Sequence, residues 1–321
     1  MKKLLYVCLF PCCLLAKEDF SWGYSAPAEI NIASEHHFFM SASFLYWKAQ
    51  EEGLTYATIT DDDGIILSQE MPCFKYKPGF KIEIGYLFAH DSWTTFAEYL
   101  RFYSRQMGGV AFEKDNNIIA TWPLNSHDYY KSASSSWVIN NNIAKIGLKR
   151  FYYLAEYLTI SPIFAIKFLS IYQLFNVHYS DNIAMINDVT INNSSSSWGL
   201  GPLGGFNMNY FLVGNLRLFA NADICLAYQH FNVTNVEKEA KRNNDVNGYF
   251  SPNCSFALGL GWGKYFANNK GHFDVFLSYE VNYFWYQNQM RALRDSFTTM
   301  MNGFAGSLYF YGLTLNARFD F

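Results

Sequence analysis

The stretch His272-Phe273-Asp274-Val275-Phe276-Leu277-Ser278-Tyr279-Glu280-Val281-Asn282-Tyr283-Phe284-Trp285 decides the fold. Every second residue, from Phe273 through Val275, Leu277, Tyr279, Val281 and Tyr283 to Trp285, is apolar or aromatic, while Asp274, Ser278, Glu280 and Asn282 interrupt the other set. Period 2 places the two sets on opposite faces of a strand. Phe80, Ile82, Ile84, Tyr86 and Phe88 alternate in the same way with Lys81, Glu83, Gly85 and Leu87. So do Leu216, Leu218, Ala220, Ala222, Ile224, Leu226 and Tyr228 with Arg217, Phe219, Asn221, Asp223, Cys225 and Ala227. Opposite Phe256, Leu258, Leu260 and Trp262 lie Ser255, Ala257, Gly259, Gly261 and Gly263, which leave space instead of filling a core. A soluble sandwich more often turns its bulky residues inward and its charges outward.

Composition agrees with that unusual surface. Of 321 residues 50% are hydrophobic, 19% aromatic and only 16% charged, against roughly 25% charged in ordinary soluble domains. Mean hydropathy is nevertheless −0.06, so the apolar residues are diluted by Ser, Asn and Thr. Helical membrane spans need about 20 consecutive apolar residues; the longest rival, Ile160 to Phe175, carries Pro162 and Lys167. Disorder is excluded by the apolar content.

Residues 1–16 read as a secretory signal, with Lys2 and Lys3, an apolar stretch from Leu4 to Leu15 and a cut after Ala16, although Leu14 stands where a small residue is preferred. A buried first strand and a lipid-anchored Cys12 or Cys13 are the alternatives. Residues 17–36 are then an N-terminal periplasmic segment and 37–321 the barrel. The leader takes away two lysines and no acids, leaving a chain more acidic than the −3 of the whole. That balance gives nucleic-acid binding no support. Cys73, Cys225 and Cys254 remain, too few and too scattered for a disulfide framework or a zinc site. One disulfide or three free thiols are both compatible with them.

Strands are expected at about 37–50, 76–89, 92–105, 136–152, 156–179, 197–211, 215–232, 249–266, 272–288 and 306–321. Connections after the even strands are short, such as Ala89-His90-Asp91. Those after the odd strands are long and polar: Glu51 to Lys75, Gln106 to Ser135, Ser180 to Ser196, Val233 to Gly248 and Gln289 to Ala305. Short turns on one rim and long loops on the other are the pattern of an outer-membrane barrel. The expected fold is therefore all-β: a transmembrane antiparallel up-and-down β-barrel of about ten strands. A hairpin across Asp61-Asp62-Asp63-Gly64, between Thr55 to Thr60 and Ile65 to Gln69, would raise the count to twelve. In lipid every strand must be paired and the sheet closed. Trp47, Trp93, Trp198, Trp262 and Trp285 fall near strand ends, as girdles require. The chain ends Leu313-Thr314-Leu315-Asn316-Ala317-Arg318-Phe319-Asp320-Phe321, in which Phe319 and Phe321 suit an outer-membrane insertion signal.

Several blocks occur in an order that resembles a known family: Phe44-Leu45-Tyr46-Trp47-Lys48-Ala49, Trp198-Gly199-Leu200-Gly201-Pro202, Tyr283-Phe284-Trp285-Tyr286-Gln287-Asn288-Gln289 and the C-terminal Gly312 to Phe321. Pro78-Gly79-Phe80-Lys81 and Tyr152-Tyr153 with Leu158-Thr159-Ile160 add fainter matches. The set is similar to the pore-forming major outer membrane proteins of Legionella and chlamydia-like bacteria. That resemblance implies an outer-membrane β-barrel that passes small solutes, contributes to the cell surface and carries no catalytic residues. The middle departs from the pattern: Lys145, Gly147 and Ile166-Lys167-Phe168 stand where acidic inward residues and a Gly-Leu-Arg run are expected.

Parity assigns an inward set of Lys81, Glu83, Lys145, Lys167, Arg217, Asp223, Asp274, Glu280, Arg318 and Asp320. These residues either line an aqueous route and set its selectivity or pair with one another and plug it. Glu98 shares a face with Phe96, Leu100 and Phe102, and parity does not place it. Other motifs carry less. Gly199-x-Gly201-x-x-Gly204 lacks the strand-then-helix context of a nucleotide site, and its glycines suit a crowded strand. Asp61-Asp62-Asp63 and Glu51-Glu52 lack calcium-loop spacing. Ser134 to Ser136 and Ser194 to Ser197 read as loop filler, and the sequons at Asn193, Asn232 and Asn253 as chance matches. No Gly-x-Ser-x-Gly elbow is present.

The expected function is a porin-like channel for small solutes or ions in the bacterial outer membrane. A plugged surface barrel acting through its loops is the alternative, and an outer-membrane hydrolase built on one of seven histidines comes third. No enzyme activity, cofactor, metal or nucleic-acid partner is expected. The expected partners are the lipid bilayer and lipopolysaccharide, the barrel-assembly machinery and small solutes, with a homo-oligomer left open.

Overall fold

The computed structural model describes residues 37–61, 65–88, 93–111, 117–123, 129–155, 157–180, 188–212, 215–237, 240–268, 270–299 and 305–321. The expected leader 1–16, the segment 17–36, and Asp62 and Asp63 of the acidic run lie outside these residues.

In chain order the elements are β1 (His37–Glu51), β2 (Ala57–Thr60), β3 (Ile66–Glu70), β4 (Tyr76–Leu87), β5 (Trp93–Ala111), β6 (Asn117–Ala120), β7 (Tyr129–Tyr130), β8 (Ser132–Arg150), β9 (Tyr152–Ala155), β10 (Leu158–Ser180), β11 (Val189–Phe211), β12 (Leu216–Glu237), β13 (Ala240–Phe266), β14 (Gly271–Asn288), α1 (Gln289–Thr299) and β15 (Gly306–Asp320). Ten strands close antiparallel in the order β1-β4-β5-β8-β10-β11-β12-β13-β14-β15. The last strand returns to the first, with Phe44 opposite Leu315. Short β9 adds to the start of β10. The hairpin expected across Asp61 is present as β2 and β3, but it does not join the barrel. With β6 and β7 it forms a separate four-stranded sheet, β3-β2-β6-β7, at the long-loop end. The barrel therefore has ten strands, not twelve.

One rule organises the side chains: the apolar face of a strand changes sides partway along it. On β10 Phe164, Ile166 and Phe168 are exposed on the outside while Lys167 is buried inside; further on, Asn176 and His178 face outward and Phe175, Val177 and Tyr179 are buried inside. On β12 exposed Ile224, Leu226 and Tyr228 give way outside to Asn232 and Thr234, as inward Arg217 and Asp223 give way to Phe231 and Val233. β1 follows suit, from outward Met40 and Phe44 over inward Ser41 and Ser43 to outward Lys48 and Gln50 over inward Trp47 and Ala49. The first half answers a lipid exterior. The second half has a water-facing exterior and a core of its own.

The switch is marked by aromatic rings on the outside. Tyr46 stacks on Tyr76 at 5.4 Å, Tyr76 meets Tyr311 at 6.4 Å, Tyr309 stacks on Tyr283 at 5.8 Å, and Tyr283 meets Trp285 at 4.7 Å. Aromatic belts of this kind sit where bilayer meets water. Trp198 and Trp262 are exposed on the outside, whereas Trp47 is not a girdle residue: it is buried in the lumen and donates its indole N–H to Thr314 Oγ1 at 3.0 Å.

Three segments expected as loops are regular structure. Ser194–Ser197 belongs to β11, paired with β10 and β12 (Ser194 with Leu174 and Thr234). Ser134–Ser136 lies in β8, and residues 233–237 and 240–248 extend the β12–β13 hairpin. Serine and asparagine signal loops in soluble chains, but here Ser134, Ser194 and Ser196 face the outside of strands above the membrane while Ser135, Ser195 and Ser197 are buried inside. Gln289–Ala305 contains α1, whose first turn is capped by Asn288 Oδ1 accepting from the Arg291 N–H at 3.0 Å. Gly199, Gly201 and Gly204 sit inside β11, where a Cβ on Gly201 would overlap the Leu226 carbonyl.

The β13–β14 turn holds Ala267 and Asn268 at φ 54° and 52°, a left-handed conformation costing about 1–2 kcal/mol for a residue with a Cβ. Ala267→Gly is expected to raise the temperature at which the folded band converts on a heat-modifiability gel; a lowered temperature would contradict that assignment of strain.

Candidate functional site

The lumen is divided into two compartments. Toward the short turns lies a polar cavity of about 230 Å³, reaching Phe151, Phe211 and Arg217 at the strand ends. Sheet register builds its charged wall. A single row of paired residues runs Asp274, Arg318, Ser41, Glu83, Glu98, Lys145 and Lys167 across seven strands from β14 to β10. Since inward positions recur every second residue, the parity that turns one of these residues inward turns its whole strand set inward.

Ion pairs then tie opposite walls together. Lys81 on β4 meets Glu280 on β14 at 3.1 Å, and Arg217 on β12 meets Asp274 on β14 at 2.6 Å. Lys145 is the central node, 3.3 Å from Glu98 on β5 and 3.2 Å from Asp223 across the lumen on β12. Asp223 also accepts from Ser255 Oγ at 3.0 Å. Lys149 meets Glu83 at 3.1 Å, and Arg318 holds Asp320 on its own strand at 2.5 Å. His272 lies between two carboxylates, 3.6 Å from Asp274 and 3.4 Å from Asp320. Lys167 differs: its Nζ donates to Asn253 Oδ1 at 2.5 Å and lies 5.2 Å over the Phe284 ring, with no carboxylate within ion-pair distance among the described residues.

Eight of the ten inward candidates, Lys81, Glu83, Lys145, Arg217, Asp223, Asp274, Glu280 and Arg318, line the cavity. Lys167 is buried above it, and Asp320 is buried beside His272 and Arg318. Parity missed Lys149, although Lys145 and Gly147 share its face, and it left Glu98 unplaced. Glu98 and its neighbours Phe96, Leu100 and Phe102 all point inward.

Above the cavity the lumen is packed with apolar side chains. Trp47, Trp137, Phe102, Phe175, Phe284 and Phe310 come from the wall itself and are fully buried. The small sheet and α1 complete the plug with Tyr56, Ile118, Trp122, Met290 and Leu293. Trp122 packs on Phe175 at 5.0 Å and donates to the Thr55 carbonyl at 2.9 Å. Among the described residues Glu51 places a buried carboxyl inside this plug. Its Oε1 accepts from Gln173 Nε2 at 2.8 Å, Gln173 Oε1 accepts from the Trp137 indole at 3.1 Å, and Oε2 has no partner. Glu51 stands above Tyr46, the last exposed aromatic on the outside of its strand. Burial pushes its carboxyl up to about 8, the Gln173 hydrogen bond opposes this in part, and Glu52 adds to it. Burial, with Glu70 adding to it, also pushes the Tyr56 phenol up to about 12.

Of the histidines above the membrane, His230 pairs with Asp245 at 3.1 Å, and His178 faces Thr190 at 3.0 Å and Asp188 at 3.9 Å. Cys73, Cys225 and Cys254 are free thiols.

Solved structures similar to the chain include the outer membrane protease OmpT from Escherichia coli (8% identity, 92% of this chain and 99% of that one, TM-score 0.49). A major outer membrane protein from Thermus thermophilus (13%, 90% and 100%, TM-score 0.35) and the Pseudomonas putida toluene transporter TodX (10%, 92% and 92%, TM-score 0.34) are further examples. No curated sequence matches the chain. The model of one family, described as Legionella pneumophila major outer membrane protein precursor, matches residues 33–321; the chain belongs to that family and to the bacterial outer membrane.

Proposed function

We propose that the protein is a surface barrel with a closed lumen, standing well above the outer leaflet and acting through the water-facing half of its wall and the small sheet at its mouth. The observation that carries this reading is the plug: large aromatics anchored on the strands themselves, not only on loops, fill the outer lumen. Burying that much apolar side chain is favourable by about 1.5–3 kcal/mol for each large residue, so a hydrated path through it is costly to open. Below the plug, cross-lumen ion pairs staple the wall. In this reading the inward charges hold the barrel together, with selectivity a secondary role. Lipopolysaccharide is the neighbour of the exposed aromatic belt, and the exposed rings of Phe319 and Phe321 mark the chain for the assembly machinery.

A swelling assay on proteoliposomes in iso-osmotic arabinose tests the reading. Rates equal to those of protein-free vesicles are expected, and rapid swelling would overturn it. A second reading, a diffusion channel in its closed state, draws on the polar cavity at the turn end and predicts openings only under an applied voltage.

A further inference from the structure

On one side of the barrel the aromatic belt is topped by positive charge. Outside β1, Lys48 is one outward step above Tyr46, and its Nζ lies 5.8 Å over the Tyr311 ring. Outside β5, exposed Arg101 and Arg105 alternate with the exposed rings of Tyr99 and Tyr103. Lys75, also exposed, completes the cluster. The chain leading into β4 runs on beside β5, where the Cys73 N–H donates to the Met107 carbonyl at 3.1 Å. Gln106, the neighbour of Arg105, clamps the Lys75 backbone there, accepting its N–H at 3.0 Å and donating to its carbonyl at 2.9 Å. Pairing makes the group contiguous: Lys48 lies opposite Tyr76, the neighbour of Lys75, and Arg101 opposite Phe80.

Among the described residues no carboxylate stands within ion-pair distance of these cations, and the outward positions of β1, β4, β5 and β8 hold no Asp or Glu. Glu51 turns into the lumen, and Glu52 accepts the Ser307 N–H at 3.0 Å. Elsewhere on the outer wall His178 faces Asp188 at 3.9 Å and His230 faces Asp245 at 3.1 Å. The position of the cluster matters as much as its sign. Phe44, Phe80 and Ile82 are exposed on the lipid side just below it, so acyl chains packed on them bring a head group level with the cations. Guanidinium forks match phosphate oxygens bidentately. Amides for sugar hydroxyls are close by: Asn142, opposite Arg101, accepts from the Tyr99 hydroxyl at 2.9 Å, and Asn140 lies opposite Tyr103.

We infer that the outer face of β1, β4 and β5 is a binding site for the phosphorylated disaccharide head of outer-leaflet lipopolysaccharide, with its phosphates on Lys48, Lys75, Arg101 and Arg105 and its acyl chains on the apolar side chains below. Basic clusters at a membrane interface take anionic head groups in this way, and the long-loop end of such a barrel faces the outer leaflet. Free phosphate would leave the apolar half of the site unused. The inference rests on the reading of the belt as the lipopolysaccharide boundary and is independent of whether the lumen is open or shut.

Native mass spectrometry of the folded barrel in detergent, titrated with bis-phosphorylated lipid A and with the same lipid stripped of phosphate, tests it. The phosphorylated lipid is expected to bind about tenfold more tightly than the stripped one, and Arg101→Gln with Arg105→Gln to remove that preference. Lys241→Gln, at an exposed lysine on β13 away from this face, should leave the affinity at the wild-type value. Equal affinity of the wild type for the two lipids overturns the site, as does an unchanged preference in the folded double variant. If that variant gives no heat-modifiable band, Lys48→Gln with Lys75→Gln decides on the same readout. Displacement of the lipid by millimolar inorganic phosphate would show a site for the free anion and overturn the lipid assignment. Rapid arabinose swelling bears on the lumen alone, so failure of the closed barrel and failure of this site are told apart.

Discussion

Lys145→Met is expected to destabilise the barrel by about 3–5 kcal/mol, the usual cost of removing one partner from a buried ionic cluster. Among the described residues Lys145 alone stands within ion-pair distance of both Glu98 and Asp223. Methionine keeps the length of the side chain and removes the charge, leaving two carboxylates facing each other across a narrow lumen. Glu98→Gln and Asp223→Asn added to Lys145→Met should recover most of the loss, because neutral amides carry no desolvated charge. Urea unfolding in detergent, followed by tryptophan emission, measures both differences. Equal stability of Lys145→Met and wild type would show that the node contributes packing and no electrostatics.

The second large effect is a pH dependence created by Glu51. Its carboxyl is raised from 4.5 to about 8 by burial in the plug. Between those two values the unfolded chain loses a proton that the folded chain keeps, so the unfolded state binds fewer protons and stability falls as pH rises. The contribution is whole below pH 4.5 and is lost as pH passes through about 8. Each pH unit in that window costs the fold at most about 1.4 kcal/mol. Glu51→Gln, which keeps a polar partner for Gln173 and removes the titration, should be more stable than wild type at about pH 8 and flatter between about pH 5 and 8. Parallel pH profiles for the two proteins would contradict this account.

Strand pattern made the barrel readable before its interior. On β12 and β14 alternation assigns every lipid-facing residue, because outside is lipid and inside is polar cavity. On β5 it cannot, since Phe96, Leu100 and Phe102 are apolar and face inward. Alternation fixes which residues share a face; it does not say which face is the lumen. Above the aromatic belt the rule inverts, so Ser194–Ser197 reads as a loop and Trp47 as a girdle residue, when the first is a strand whose Ser194 and Ser196 face out and whose Ser195 and Ser197 are buried, and the second is core. The charged wall was legible at Lys81, Glu83 and Asp274, where charges interrupt otherwise apolar strands. Lys149 was obscured by the end of its strand. The cross-lumen pairing of Lys145 with Asp223 has no local signal, because it depends on closure of strands far apart in the sequence.

Single-channel recording in planar bilayers tests the divided lumen most directly. With the purified, heat-modifiable barrel inserted at low voltage, we expect no steady ion conductance above the lipid background. Stable ohmic steps would mean that ions pass the packed aromatics of the outer lumen, and would contradict the closed barrel.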